Sequence, residues 1–407
     1  MGTKRPSIGS LDRLAALSDV LIQRGHAADL EHLNLVDTNA RMLASGRLGI
    51  NDQAMRTAMN AFTPSLVAQR RADAEASFQT RWREPRPGEG RFREIDEASR
   101  HEWEFSITEM AQVVGAAAGL SLDSGKAAMA FRRDDAIRTI AAESGLDAGL
   151  VARVLDELTL GERPRFLEPE PPFDHADVYP WRFNRRLSLL RKPFVRRSTA
   201  DGPELVFGRR ALFECVHYTT ELVTTSRLQC RSAEMERLKG IFSVERGAAF
   251  NERVAVELEA RLGHQVRRGV NKVGGLRLSI RDNDIGDVDV LGPDIGSRII
   301  WAIECKALAP ARTPHEIFWE LEELVGTEQK LGLLGKHARR LNWLIAHQES
   351  VVTELSLEGS DWTIKGAFVV DEDLLGPYIR ETPVPVVTLA GLIADVEALH
   401  RGDTRTE

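Results

Sequence analysis

Cysteine is scarce in this 407-residue chain: only Cys215, Cys230 and Cys305 occur. With no Cys-x-x-Cys and no paired spacing, they exclude a disulfide framework and a zinc ribbon. The ten histidines are scattered and form no His-Glu-x-x-His, so a helix-borne zinc-protease site is excluded as well. No stretch approaches the roughly 18 apolar residues of a membrane span, and Met-Gly-Thr-Lys-Arg-Pro at the start is followed by no apolar h-region. These absences predict a soluble, cytoplasmic protein with reduced thiols and no membrane partner. Overall positive charge is lacking too, the net balance being −7. What remains is ordinary globular composition, 43% hydrophobic and 28% charged, in a chain long enough for two or three domains.

The charge is unevenly spread. Residues 181–240 hold 13 Lys/Arg against 6 Asp/Glu, and a local basic stretch rather than the total is what meets phosphates. Its densest part carries Arg182, Arg185, Arg186, Arg191, Lys192, Arg196 and Arg197 with no acid, interleaved with Trp181, Phe183 and Phe194. Guanidinium groups clamp phosphates and aromatic faces stack on bases, so these seven cations are candidate nucleic-acid contacts. The plain alternative is a surface helix docked on acidic parts of the same protein.

The chemistry concentrates between Asp284 and Lys306. Two β-type runs, 287–291 and 298–306, flank the turn Gly-Pro-Asp-Ile-Gly-Ser and predict an antiparallel hairpin. Side chains alternate with a period of two, so Ile299, Trp301, Ile303 and Cys305 share one face, and Ile300, Ala302, Glu304 and Lys306 the other. Pairing across the turn brings Asp289 beside Glu304 and Lys306. Two carboxylates suit a hard divalent cation such as Mg²⁺ or Mn²⁺, and a lysine beside them can orient water or balance charge on a phosphate. A Glu-x-Lys also arises by chance once or twice in such a chain, where it is a solvated strand edge. Here it ends a strongly apolar strand, where a buried Glu and Lys are costly without partners.

At Gly286-Asp287-Val288-Asp289-Val290-Leu291 and Glu304-Cys305-Lys306 the sequence resembles the PD-(D/E)XK nuclease superfamily, restriction-endonuclease-like and Mrr-like. The resemblance extends upstream to the helical run 246–258 and covers roughly residues 240–400. It implies Asp289 (fallback Asp287), Glu304 and Lys306 as catalytic residues, with Asp289, Glu304 and the Cys305 carbonyl as ligands of Mg²⁺ or Mn²⁺. It also implies a supporting glutamate in the first helix, best matched by Glu252 (fallback Glu257). The expected activity is metal-dependent endonucleolytic hydrolysis of DNA in restriction, phage defence or repair. RNA cleavage on the same site and an inactive nucleic-acid-binding or assembly module stand as alternatives.

The fold expected is α+β: a helical N-terminal half, then an α/β restriction-endonuclease-like domain with a central mixed sheet flanked by helices. The boundaries read as 1–100, a helical region offering a surface for a protein partner; 101–162, a small helical bundle; 163–180, a Pro/acidic linker; 181–240, a basic helical connector; and 241–407, the nuclease-like domain. Leu48 to Asp52 reads as a helix start with Asn51 or Asp52 as cap, and Glu84–Gly90 as a loop. Residues 134–160 outline a helix-turn-helix, but Asp147-Ala148-Gly149 at its second helix is wrong for reading bases, and a bundle is the better reading. Self-association is left open.

Overall fold

Capping chemistry sets many of the helix starts. The computed structural model describes residues 7–37, 41–46, 48–49, 51, 53–80, 91–163, 165, 167–200, 202–281 and 283–401; the loop read at Glu84–Gly90 and the cap at Asp52 lie outside them. Helices α1 (Ile8–His32) and α2 (Gln53–Thr80) flank a minimal hairpin of β1 (Arg41–Met42) and β2 (Leu48–Gly49). Next come α3 (Arg91–Trp103), α4 (Ile107–Asp123), β3 (Ala128–Arg132), α5 (Arg133–Ser144), α6 (Ala148–Glu157) and β4 (Thr159–Leu160). Then follow β5 (Phe194–Thr199), β6 (Gly202–Gly208), α7 (Arg209–Thr224) and the long α8 (Ala233–Leu262). After β7 (Arg267–Val270) stand two short hairpins, β8 (Lys272–Val273) with β9 (Leu276–Arg277) and β10 (Ser279–Ile280) with β11 (Asn283–Asp284). The chain continues through β12 (Val288–Asp294), β13 (Ile299–Lys306), α9 (Pro314–Leu324), α10 (Leu333–Ala346) and α11 (Gln348–Glu354). It ends with β14 (Thr363–Val370), α12 (Gly376–Ile379), β15 (Val386–Thr388) and α13 (Leu389–Arg401). The fold is therefore mixed α+β, a mainly helical N-terminal half followed by a sheet-bearing region.

These elements form two compact units, Met1–Gly25 with Thr80–Val244, and His26–Gln79 with Glu245–Glu407. Two units thus replace the five-part division that composition suggested. In the first, Ser106 and Glu109 close a capping box on α4, with Ser106 Oγ accepting from Glu109 N at 3.0 Å and Glu109 Oε2 accepting from Ser106 N at 2.6 Å. Asp147 caps α6 by accepting from Leu150 N, and Gly145 ends α5 at φ 71°, a left-handed position that glycine takes without a Cβ clash. The bundle expected at 101–162 shares its core with the segment read as a connector: Phe105, Met110, Ile140 and Leu155 pack with Phe194, Leu205, Phe207, Leu212 and Leu222. Each such fully buried side chain contributes about 1.5–3 kcal/mol.

The helical reading of 181–240 is corrected at 194–208. There β5 and β6 form an antiparallel hairpin inside a four-stranded sheet of order β3-β6-β5-β4. Leu205 and Phe207 point inward two residues apart, the period of a strand, and Gly202-Pro203 at the turn breaks any helix. From Arg209 onward the segment is helical over Arg209–Thr224 and again from Ala233, with a break at 225–232.

The second unit is built on a five-stranded mixed sheet of order β15-β14-β13-β12-β7. β12 pairs antiparallel with β13 and β7, while β13–β14 and β14–β15 are parallel. One face buries Val290, Trp301, Ile303 and Val369 against Phe250, Val254 and Leu258 of α8 and Leu392 and Val396 of α13. The other buries Leu291, Ile300 and Ala302 against Trp343 and Leu344 of α10 and Val351 of α11. The division of β13 into two faces is the one that alternation predicts. β12 runs three residues further than expected, through Gly292, Pro293 and Asp294. Pairing with β7 ends at Leu291, so beyond it a proline disrupts no ladder on that side. Buried Asp294 accepts from Ser297 N and meets His400 of α13 at 2.9 Å.

Residues 26–79 depart from the expected N-terminal region. Leu30, Leu35, Val36, Ala58 and Phe62 pack on Ile317 and Leu321 of α9 and on Leu375, so this helical stretch is part of the sheet-bearing unit. At the start of α2, Asn51 Oδ1 accepts from Gln53 N at 3.2 Å. Thr313 caps α9, with Pro314 at its first position.

Candidate active site

The β12–β13 register decides what meets at the sheet end. Val290 faces Ile303, which sets Asp289 opposite Glu304 one step on. Asp289 Oδ2 accepts the Cys305 N–H at 2.8 Å, and Oδ1 accepts from Asn251 Nδ2 of α8 at 3.0 Å. The Lys306 ammonium lies 2.7 Å from Glu304 Oε1, 3.7 Å from Asp289 Oδ2 and 3.2 Å from the Cys305 carbonyl oxygen. Behind them, Arg340 of α10 donates through Nη2 to Glu304 Oε2 at 2.5 Å and through Nη1 to Ile285 O at 3.3 Å. Glu304 and Arg340 are both buried, and His337, one turn away from Arg340, is fully so.

Electrostatics follow from that crowding. Burial, and then the charge of Glu304, raise the Asp289 carboxyl above its ordinary value, against the pull of Lys306 and the Cys305 N–H. Burial alone would lower the Lys306 ammonium, yet Glu304 and Asp289 outweigh it and hold the ammonium above its usual range. Burial and the two carboxylates raise the Cys305 thiol, which is therefore a neutral packing group. Burial, and then Arg340, push the His337 imidazole down to about 4, so it stands uncharged beside the guanidinium at neutral pH.

Asp289, Glu304, Cys305 and Lys306 are thus brought together as the sequence implied, but Glu252 is not. Its side chain is 59% exposed, and its carboxylate bonds Arg268 at 2.9 and 3.1 Å, a partner shared with Glu259. One residue of helix is a 100° turn, and the group that α8 sends to Asp289 is Asn251. The fallbacks Asp287 and Glu257 are exposed. In Lys336-His337-Ala338-Arg339-Arg340 the exposed pair is Lys336 and Arg339, while His337 and Arg340 turn inward. A signal for the latter two lay in the sequence: with Leu334 and Leu344 they fall on one apolar stripe of α10, where a cation needs a buried partner.

The seven basic residues of 182–197 are largely committed within the first unit. Arg186 makes a paired contact to buried Asp177 at 2.7 and 2.5 Å, and Lys192 bonds the Glu157 carbonyl and lies 3.6 Å from its carboxylate. Arg191 donates to Asn184 Oδ1 at 3.3 Å, and Arg197 pairs with Glu204. Arg182 and Arg185 are half-buried; Arg196 and Arg197 are exposed. The alternative of basic residues docked on acidic parts of the same protein accounts for Arg186, Lys192 and Arg197.

A family model described as anti-phage protein Upx-like matches residues 2–359, nearly nine-tenths of the chain. The chain belongs to the Upx-like anti-phage protein family. The match spans Asn251, Asp289, Glu304, Lys306 and Arg340 and ends before β14. No curated protein and no solved structure matches the chain. Among the described residues of this Upx-like chain, no single helix is long and apolar enough to cross a membrane; α3 and α4 pass that test only jointly, bent by 82°.

Whether the cluster suits a divalent ion can be judged from its donors. Among the described residues no three His, Cys, Asp or Glu side chains converge as a metal-holding group. Two carboxylates and a main-chain carbonyl do converge, all hard oxygen donors, and the remainder of a Mg²⁺ shell is commonly water and phosphate. The Lys306 ammonium is set among those three oxygens. The residues fit.

Proposed function

We propose that this chain is a PD-(D/E)XK-type nuclease that hydrolyses DNA with the help of Mg²⁺ or Mn²⁺, as its part in phage defence. One observation carries the reading: a single cation, the Lys306 ammonium, is held in common by Asp289, Glu304 and the Cys305 carbonyl at one end of the β12–β13 hairpin. Asp289, Glu304 and the Cys305 carbonyl would hold the metal, with Asn251 and the Cys305 N–H fixing the orientation of Asp289. When bound, the metal would polarise the phosphoryl oxygen and acidify water. Lys306 cannot share the three oxygens with an ion, so its ammonium would then be free to orient the attacking water and balance charge on the phosphate. Arg340 would hold Glu304 in place through its bond to Oε2. DNA contact by the 182–197 segment would fall first to the exposed Arg196, since Arg197 is paired with Glu204.

The test is a cleavage assay of the full chain on circular and linear DNA, single-stranded DNA and RNA. Cleavage of DNA with Mg²⁺ or Mn²⁺, abolished by a chelator, is expected. Preference for RNA would transfer the activity to the other polymer. Tight DNA binding with no product under either ion would make the chain a binding module and remove the proposal.

A companion expectation concerns stability. A ligand present at a hundredfold excess over its Kd stabilises the folded state by about 2.7 kcal/mol. Mn²⁺ at such excess is expected to raise the unfolding free energy of the wild type by that amount and that of Asp289→Asn not at all. The substitution alone is expected to stabilise the metal-free protein, on the order of 1 kcal/mol, the usual size of a single-site change. The sign follows from the raised Asp289 carboxyl: folding disfavours its charge, so above that pKa the ionised group costs stability that the amide does not. Urea unfolding with and without the ion measures both.

A further inference from the structure

The first unit contains a partly open cavity of about 300 Å³ that the nuclease reading does not use. Arg186, Arg191, Lys192 and Arg231 line it, together with Trp103 and Phe173. Its charge is not balanced. The two cavity carboxylates are Glu102 and Glu157. Glu102 is spent on Arg231 and Ser232: its oxygens accept the Arg231 N–H at 2.9 and 3.0 Å, the Ser232 N–H at 2.8 Å and the Arg231 Nε–H at 3.4 Å, just ahead of α8. Glu157 stands against Lys192, and Arg186 is neutralised from outside the cavity by Asp177.

Arg191 is left over. Among the described residues no carboxylate lies within 4.0 Å of its guanidinium, whose one side-chain bond is the 3.3 Å contact to the neutral Asn184. Burial lowers its pKa, and Tyr218, Cys215 and Glu157 offset that only in part. A guanidinium half-buried at a cavity wall without an anion is a cost that a bound anion would remove. The aromatic walls define the rest of the ligand. Arg186 lies 5.1 Å from the centre of the Phe173 ring, a cation over one face, so this part of the wall joins a planar guanidinium to an aromatic ring. At the lower end of small-molecule sites, about 300–1,000 Å³, the space suits one nucleotide and neither a duplex nor a peptide.

We propose that this cavity binds a nucleoside phosphate, with Arg191 and Lys192 on the phosphate and Phe173 and Trp103 against the base. The site is separate from the Asp289 cluster and is a ligand site in its own right, whether or not the chain cuts DNA.

Calorimetric titration of the full chain tests it, with ATP, GTP, CTP, UTP, AMP and inorganic phosphate as probes and a short oligonucleotide as control. At least one nucleotide is expected to bind with a Kd below about 1 mM, tighter than inorganic phosphate. Arg191→Gln is expected to weaken it at least about tenfold, as for loss of a charged hydrogen bond. Phe173→Ala, at a half-buried position, is expected to weaken nucleotides and leave inorganic phosphate unchanged. Asp289→Asn is expected to bind as the wild type does, which separates this site from the metal cluster. No saturable binding of any nucleotide, affinity unmoved by Phe173→Ala, inorganic phosphate binding as tightly as nucleotides, or binding of the oligonucleotide alone would each overturn the proposal.

Discussion

Lys306→Ala and Asp289→Asn are each expected to lower metal-dependent DNA cleavage by about 10³-fold or more, and to do so for different reasons that metal binding separates. Removing one preorganised charge-stabilising group costs about 10²–10³ in rate, and removing a proton-handling group costs 10²–10⁴. Asp289 supplies an oxygen to the ion, so its amide variant loses both cleavage and Mn²⁺ binding. Lys306 is a competitor for the same oxygens, 2.7 Å from Glu304 and 3.7 Å from Asp289. Its removal takes a resident cation out of the site, so Mn²⁺ affinity should stay or increase while cleavage is lost. Titration of Mn²⁺ into both variants beside a time course on linear DNA distinguishes them. Full cleavage by either variant would remove the residue from the mechanism. Loss of cleavage together with Mn²⁺ binding in Lys306→Ala would mark a damaged fold rather than a missing group.

The parts of this site that were legible in the sequence are those governed by short-range geometry. A turn and a period of two fix which residues of β12 and β13 face each other, so Asp289, Glu304 and Lys306 could be placed together before any coordinates. The contribution of α8 was not legible. Whether Asn251 or Glu252 reaches Asp289 depends on the rotation of a helix about its axis, and the apolar stripe of α8 fixes that rotation no more finely than about one residue. Arg340 was hidden differently. It lies 36 residues beyond Glu304 on an element whose register against the sheet no local pattern states. The basic run misled because composition counts charges and not their partners: Asp177 and Glu157, which take up Arg186 and Lys192, lie outside it. The membership of 26–79 in the second unit is a packing fact of the same kind, Phe62 meeting α9 some 250 residues further on.

Arg340→Leu is expected to destabilise the metal-free protein by about 3–5 kcal/mol, the cost of leaving a buried charge without its partner. Both side chains of the Glu304–Arg340 pair are 8% exposed, so water cannot replace the guanidinium. Lys306 alone would then have to neutralise Glu304, and through Oε1 only. The size of the loss should depend on what occupies the centre. With Mn²⁺ bound, Glu304 has a divalent partner of its own, and the penalty measured by urea unfolding should shrink relative to that in a chelator. A second substitution, Glu304→Gln in the Arg340→Leu background, removes the stranded charge and should recover most of the stability while leaving no cleavage. The two changes are therefore strongly non-additive, as contacting residues are. If Arg340→Leu cost less than about 1 kcal/mol, the buried guanidinium would not be the partner on which Glu304 depends. The contact would then not be what fixes Glu304 as an oxygen donor for the metal site.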